Sequence, residues 1–247
     1  MPKVLQSKDL TDNFVINKDI LPSIPFRFLL VGRSGSGKSS ILNSLIALDE
    51  NYGKDFKGEN IYIWSGSKSD PKMSNLIGFK EIPDGNVRNT WLDGEVSGLY
   101  EELLENWREK LEEKETPPSI LFIVDDLFFS NQFRSEGAKN SMMNKIYQNG
   151  RKFHISIIIL AQKFSSISTC VRENANSIIT FGATNKQIDL MESDFNYLDN
   201  KQQFFEVFRT ATIGSKHDFL FINIDLPIEN RYMGSDFQPI KITTEEK

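Results

Sequence analysis

Short apolar runs along this chain are separated by longer segments in which apolar residues recur every three or four positions. Such runs are typical of strands, and the wider spacing is typical of amphipathic helices. Strands are predicted over 26–31, 60–65, 120–124, 154–161, 177–181 and 219–224. Helical patterns cover 40–48, 98–115, 138–149, 165–174, 186–194 and 200–208. Because strands alternate with helices and several runs are apolar on both faces, the pattern predicts an α/β fold with a mostly parallel central sheet and helices on both faces.

The two ends of the chain lack this alternation. We expect an N-terminal arm at 1–24, one domain over 25–226 and a C-terminal extension at 227–247 that ends in an acidic tail. A chain of 247 residues is long enough for one α/β domain with a substantial core. We see no internal repeat and no low-complexity tract.

The composition narrows the class of protein only modestly. Hydrophobic residues make up 39% and charged residues 26%, as in ordinary soluble domains. The one cysteine, Cys170, excludes an internal disulfide framework and fits a reducing compartment. No apolar run is long enough to span a bilayer, and the first residues lack the apolar core of a signal peptide, so we expect an intracellular protein. The net charge of −5 argues only weakly against DNA binding, which needs local basic residues.

Residues 32–39 read Gly-Arg-Ser-Gly-Ser-Gly-Lys-Ser and match the phosphate-binding pattern G-x-x-x-x-G-K-[ST]. A predicted strand precedes the match and a predicted helix follows it, which is the context of a P-loop. Glycines let the loop curl its N–H groups around the phosphates, Lys38 adds a mobile positive charge, and the Ser39 hydroxyl is placed to ligate Mg²⁺. We therefore expect ATP and Mg²⁺ as cofactors. The residues expected to contact the nucleotide are Gly32, Arg33, Ser34, Gly35, Ser36, Gly37, Lys38, Ser39 and Ser40.

Polar residues end two of the buried strands. Asp125 follows an apolar run, as a carboxylate that holds Mg²⁺ must, and Asp126 comes directly after it in position to activate water. The alternative for this pair is a turn or helix cap after a strand. Gln162 ends the next strand and is expected to touch the γ-phosphate; the alternative is a solvated strand end. These residues together predict a hydrolytic site.

The order of these motifs resembles one family. Asn149-Gly150-Arg151 leads into the strand that ends at Gln162, and Val171-Arg172-Glu173-Asn174 follows. This series resembles the viral genome-packaging ATPases of the FtsK–HerA superfamily, in the poxvirus-type branch found in large DNA viruses and virophages. The resemblance implies a RecA/FtsK–HerA-like P-loop NTPase that forms a homo-oligomeric ring, a pentamer or a hexamer, and drives double-stranded DNA into a preformed capsid. It also implies a capsid vertex or portal protein as a partner, in the host-cell cytoplasm or virus factory.

The resemblance further implies that an arginine of one subunit completes the site of the next. Arg172 matches the family's Arg-x-Asn position and is the first candidate; an ion pair with Glu173 or another neighbour is the alternative. Arg151 is the second candidate. Many relatives carry a histidine directly after that arginine, whereas here two residues separate it from His154.

DNA contacts are harder to assign from the sequence. Lysines near the predicted strand ends are candidates, although a lysine at such a position is more often an ordinary solvated side chain; they are Lys68, Lys72, Lys163 and Lys186. No recognition helix or zinc pattern is present, so we expect binding without sequence specificity.

Three other classes of protein share a P-loop. A small-molecule kinase would need an arginine-bearing lid, which the sequence lacks. A GTPase would need Asn-Lys-x-Asp, but in the segment 185–189 the aspartate comes one residue too late. Another DNA-translocating ATPase or helicase, as in conjugation or segregation, remains the nearest alternative to a packaging motor.

Overall fold

The structure is a computed structural model that describes residue 16 and residues 18–66, 70–127 and 141–241. Most of the expected N-terminal arm, Lys68, the start of the helix predicted over 138–149 and the acidic tail lie outside the described residues.

A single sheet of eight strands forms the centre of the described chain, in the order β3-β2-β4-β5-β1-β6-β7-β8. The strands are β1 (Arg27–Val31), β2 (Ile61–Ser65), β3 (Val87–Arg88), β4 (Ile120–Asp125), β5 (Ile155–Ala161), β6 (Ser177–Phe181), β7 (Phe219–Asn223) and β8 (Tyr232–Met233). The six strands from β3 to β6 are parallel, and β7 runs antiparallel to both β6 and β8. The mostly parallel sheet predicted from the sequence is confirmed.

Eight α-helices accompany the strands within the described residues. They are α1 (Lys38–Ala47), α2 (Pro71–Phe79), α3 (Asp93–Glu112), α4 (Met142–Asn149), α5 (Thr169–Glu173), α6 (Asn185–Phe195), α7 (Lys201–Thr212) and α8 (Ile228–Arg231). Alternate residues of β1 show how both sheet faces are covered. Leu29 packs in a cluster with residues of α3, α4, α6 and α7, whereas Leu30 packs in a second cluster with residues of α1 and α2. The expectation of helices on both faces is therefore confirmed.

The sequence pattern missed α2 and misplaced the start of α3. Helix α2 buries only Met73 and Leu76, so its apolar periodicity is weak. Its start is marked by an N-cap, because the Asp70 side chain accepts a hydrogen bond from the Lys72 N–H at 2.9 Å. Helix α3 was expected over 98–115 but begins at Asp93. Two glycines in its first turns, Gly94 and Gly98, weakened the signal there.

The parallel strands give the sheet two functionally different edges. We call the edge at which the parallel strands end the carboxyl edge and the opposite one the amino edge. Strand β1 is hydrogen-bonded to β5 on one side and to β6 on the other, and β5 lies between β1 and β4. The segments that follow β1, β4 and β5 therefore emerge side by side at the carboxyl edge.

At the amino edge, a buried arginine joins β1 to α4 and β5 through hydrogen bonds. Arg27, the first residue of β1, is 1% exposed and donates hydrogen bonds to the carbonyls of Tyr147 at 2.7 Å and Ile155 at 3.0 Å. Burial lowers the pKa of Arg27 to about 10. The side chain links the end of α4 to the start of β5, so β5 is held in register beside β1.

None of the helices in the described ranges is both long and apolar enough to cross a membrane.

Candidate nucleotide-binding site

The glycine-rich loop joins β1 to α1, and its conformation depends on three glycines. Gly35 and Gly37 have φ angles of 72° and 121°, which side chains disfavour. A Cβ atom at Gly32 would lie 2.6 Å from both the Phe181 ring and the Ser36 hydroxyl. Gly37 also precedes α1 and has no side chain to cap it, so the N–H groups at the start of this helix suit an anion. The loop has the geometry of a phosphate cradle.

Lys38 lies inside this cradle. Its side chain is nearly buried, with the residue 7% exposed, and the ammonium group donates hydrogen bonds to the carbonyls of Gly32 at 2.7 Å and Arg33 at 3.4 Å. Burial lowers the pKa of Lys38, and the carboxylates Asp126 and Asp125 oppose that shift without cancelling it. A phosphate in the loop would replace these carbonyls as a stronger, charged partner for the amine.

The first turn of α1 carries Ser39 and Ser40, both half-buried. The Ser40 hydroxyl accepts a hydrogen bond of 2.6 Å from the Lys72 ammonium group, and the Asn43 amide donates to the Lys72 carbonyl at 3.1 Å. Lys72 was a candidate DNA contact, but the structure places it against the P-loop helix. Its position adds a second cation next to the residues expected to bind phosphate.

Asp125, the last residue of β4, is a buried carboxylate at the same edge. It is 8% exposed and accepts a hydrogen bond of 2.8 Å from the hydroxyl of Ser65, the last residue of β2. Burial raises the pKa of Asp125, and Asp126 adds to this, whereas Ser65 and Lys38 act in the opposite direction. A cation beside Asp125 would hold it ionised. With the Ser39 hydroxyl, these oxygens are donors that suit Mg²⁺, which completes its shell with water and nucleotide phosphates.

The structure brings Asp126 and Gln162, two residues expected in the hydrolytic site, into contact. The Gln162 side-chain amide donates a hydrogen bond of 3.0 Å to the Asp126 carboxylate. Asp126 has a φ angle of 50°, an uncommon conformation for a residue with a side chain, and its N–H donates to the Leu160 carbonyl at 3.1 Å. The backbone contact thus fixes the position of Asp126, and Gln162 holds one of its carboxylate oxygens, which leaves the other for a reactant.

His217 is a contact that the sequence did not predict. Strand β7 is antiparallel to β6, so its first residue, Phe219, pairs with Phe181 and the loop before it reaches the carboxyl edge. The Nδ1 atom of His217 lies 2.9 Å from the Ser36 carbonyl of the P-loop. No local motif marks this residue, because only the reversal of β7 brings it back to the loop.

The two candidate arginines lie away from this site. Arg172 is 8% exposed and forms an ion pair of 2.9 Å with Asp194, while it also donates to the Thr169 hydroxyl at 3.2 Å. It precedes β6, near the amino edge. Its partner is Asp194 rather than Glu173, and the pair is buried rather than on the surface.

Arg151 is exposed and precedes β5, also at the amino edge. Strand β5 has seven residues, so its two ends are about 20 Å apart at ~3.3 Å per residue. Arg151 therefore cannot reach the P-loop of its own chain. The structure brings neither arginine into the site formed by Lys38, Asp125 and Asp126.

The fold and the site define a P-loop NTPase. The sequence model of the family described as Poxvirus A32 protein matches residues 13–226, and the chain belongs to this family. The resemblance to the poxvirus-type branch is thereby confirmed. Comparison of the sequence with curated proteins gives no match.

Solved structures support the same fold. The genome packaging NTPase B204 from Sulfolobus turreted icosahedral virus 2, in complex with AMP, superposes with a TM-score of 0.57 at 14% identity, over 82% of this chain and 95% of that one. Its complex with ATP-γS gives 0.52 at 15% identity, over 81% and 93%. The DNA-packaging ATPase B204 from Sulfolobus turreted icosahedral virus gives 0.51 at 16% identity, over 80% and 92%. At these identities the likeness concerns the fold alone.

Proposed function

We propose that this chain is an ATP-hydrolysing motor subunit that moves double-stranded DNA into a viral capsid. The observation that carries the hydrolytic part is the contact of Gln162 with Asp126 beside an intact P-loop. Membership of the poxvirus A32 family and the fold shared with packaging NTPases of turreted icosahedral viruses support the packaging part.

Each residue of the site has a separate role in the proposed hydrolysis. The loop N–H groups and Lys38 hold the β- and γ-phosphates and neutralise charge that develops on them. Ser39 and Asp125 would hold Mg²⁺, which supplies further neutralisation of the phosphate oxygens. Asp126 accepts a proton from the water that attacks the γ-phosphorus. Gln162 orients that carboxylate and can report the loss of the γ-phosphate to the segment after β5.

A measurement of ATP hydrolysis with and without long double-stranded DNA tests this function. We expect DNA to stimulate hydrolysis, and Asp126→Asn to lower the rate by roughly 10²–10⁴-fold, because it removes the general base. Nucleotide binding should survive in this variant, since Asp126 is not part of the phosphate cradle. Asp84→Asn, an exposed aspartate in the turn before β3, is the matched control. Hydrolysis that is indifferent to DNA, with phosphate passed to a small acceptor, would indicate a kinase instead.

We also propose that the chain works as a ring in which an arginine acts on the neighbouring subunit. Both candidates lie near the amino edge, remote from their own P-loop, so such a role requires a second copy. Arg172 would first have to leave Asp194, whereas Arg151 is exposed and needs no such exchange. Arg151 is therefore the better candidate for the contact in trans. A capsid vertex or portal protein is the proposed docking partner, in the infected cell.

Mixed subunits test the contact in trans. Arg151→Ala subunits and Asp126→Asn subunits should each be inactive alone, and mixing them should restore part of the hydrolysis, because some interfaces then pair an intact arginine with an intact base. Lys152→Ala, which removes the exposed cation next along the chain, is the control and should stay active. Full activity of Arg151→Ala alone, or no recovery on mixing, would contradict the role of Arg151.

A further inference from the structure

A cavity of about 430 Å³ opens at the carboxyl edge beside the P-loop, where β1, β5 and β6 end and α6 begins. We call it the basic crevice and define it by the seven polar residues that line it in the described structure. They are Arg33, Gln162, Lys163, Ser165, Thr184, Lys186 and Gln187. The crevice thus shares Gln162 with the hydrolytic site and Arg33 with the P-loop.

The charged residues that line the crevice in the described structure are all positive. Arg33, Lys163 and Lys186 line it, and no aspartate or glutamate is among the described residues that do. None of the three cations forms an ion pair with a carboxylate in the described ranges, whereas Asp189 of α6 pairs with Lys201 at 2.6 Å. Three cations concentrated in one cavity of a chain with net charge −5 make this a site for an anion.

The walls of the crevice are fixed in relation to each other. Gln187 in the first turn of α6 accepts a hydrogen bond from the Ser165 N–H and donates one to the Ser165 hydroxyl, each at 3.0 Å. Two hydrogen bonds therefore tie α6 to the segment after β5. The Thr184 side chain makes no capping hydrogen bond to α6, and the positive end of that helix adds to the field of the lysines. The crevice is preorganised for its ligand.

We propose that the basic crevice binds backbone phosphates of DNA and links DNA occupancy to hydrolysis through Gln162. The inference rests on the proposed function and specifies where the DNA is held. Lysine and amide side chains contact phosphates without reading bases, and the aromatic residues that line the crevice, Phe164 and Phe181, are buried in the core and offer no stacking surface. Lys163 directly follows Gln162, so a phosphate held by the lysine acts on the residue that positions Asp126.

The test is the double variant Lys163→Ala/Lys186→Ala, assayed for DNA affinity by fluorescence anisotropy at several salt concentrations and for hydrolysis with and without DNA. We expect the dissociation constant for DNA to rise about 10-fold or more, the slope of log affinity against log salt to fall in magnitude by about 2, and DNA stimulation to disappear. Hydrolysis without DNA should stay at the wild-type rate. Lys54→Ala/Lys57→Ala, which removes two exposed lysines between α1 and β2, is a control with the same loss of charge.

The possible failures are distinguishable. If the wild type binds DNA and the double variant binds it with the same affinity and salt slope, the crevice is not the DNA site, although the proposed function stands. If the variant instead raises the KM for ATP and leaves DNA binding intact, the crevice serves the nucleotide and the inference is overturned. If the wild type itself binds no DNA, the proposed function and this inference fail together.

Discussion

At the scale of single residues, the site depends on the buried carboxylate of Asp125, whose charged form is disfavoured by burial. Burial raises the pKa of Asp125, while the hydrogen bond from Ser65 and the nearby ammonium group of Lys38 favour its ionised form without cancelling that shift. A carboxyl group with a raised pKa in the folded state stabilises the fold fully below its unfolded-state pKa. That contribution is lost as the pH rises through the folded-state value. At neutral pH, therefore, Asp125 favours a bound cation over an empty site.

Replacing Ser65 tests this arrangement. In Ser65→Ala the carboxylate loses a donor, so the pKa of Asp125 rises further and a higher pH is needed to ionise it for Mg²⁺. We expect the acidic limb of the pH profile of Mg²⁺-dependent hydrolysis to move to higher pH, and the free energy of unfolding at neutral pH to fall by about 1–3 kcal/mol.

Ser177→Ala is the matched control for that variant. Ser177 is a buried strand serine whose hydroxyl has no hydrogen-bond partner in the described structure. An acidic limb that stays in place in Ser65→Ala, or that moves equally in both variants, would show that Ser65 does not control the ionisation of Asp125.

At the scale of elements, α5 and α6 are joined by the buried ion pair of Arg172 with Asp194. The guanidinium also lies 5.0 Å from the centre of the Phe164 ring, so it packs as well as pairs. Burial raises the pKa of Asp194, and Arg172 opposes this shift. Removing one partner leaves the other as an uncompensated buried charge, whereas replacing both with apolar residues does not.

This difference separates a structural role of Arg172 from a catalytic one. We expect Asp194→Asn to lower the free energy of unfolding by about 3–5 kcal/mol, and Arg172→Met/Asp194→Leu to recover most of that loss and to hydrolyse ATP at close to the wild-type rate. Urea denaturation and steady-state hydrolysis measure the two effects. Asp189 lies on α6, like Asp194, and forms an exposed ion pair with Lys201 of α7. Asp189→Asn breaks this exposed pair and should leave the melting temperature near the wild-type value. A double variant that is folded but inactive would show that Arg172 acts in the site after all.

The elements also show how far the sequence could predict the structure. Strands with continuous apolar runs, such as β4 and β5, and the P-loop could be predicted because their signals are local. Helix α2 could not, because two buried side chains and a cap give no clear periodicity. The contact of His217 with Ser36 and that of Lys72 with Ser40 depend on how distant segments meet at the carboxyl edge. The burial of Arg172 depends on Asp194 of a later helix.

At the scale of the whole molecule, the two edges of the sheet carry different functional residues. The carboxyl edge carries the P-loop, Asp125, Asp126 and Gln162 together with the basic crevice, so nucleotide and DNA would meet there. Arg151 lies at the amino edge and is exposed to solvent. A subunit with its site at one edge and an arginine at the other is suited to a ring in which each copy completes the next.

Movement along DNA is the central claim, and displacement of a third strand measures it most directly. A long duplex that carries a bound triplex-forming strand is incubated with the protein and ATP, and release of the labelled third strand is followed over time. We expect release that requires ATP, does not occur with a non-hydrolysable analogue, and is lost in Asp126→Asn. ATP hydrolysis by the wild type without any release of the third strand would contradict translocation.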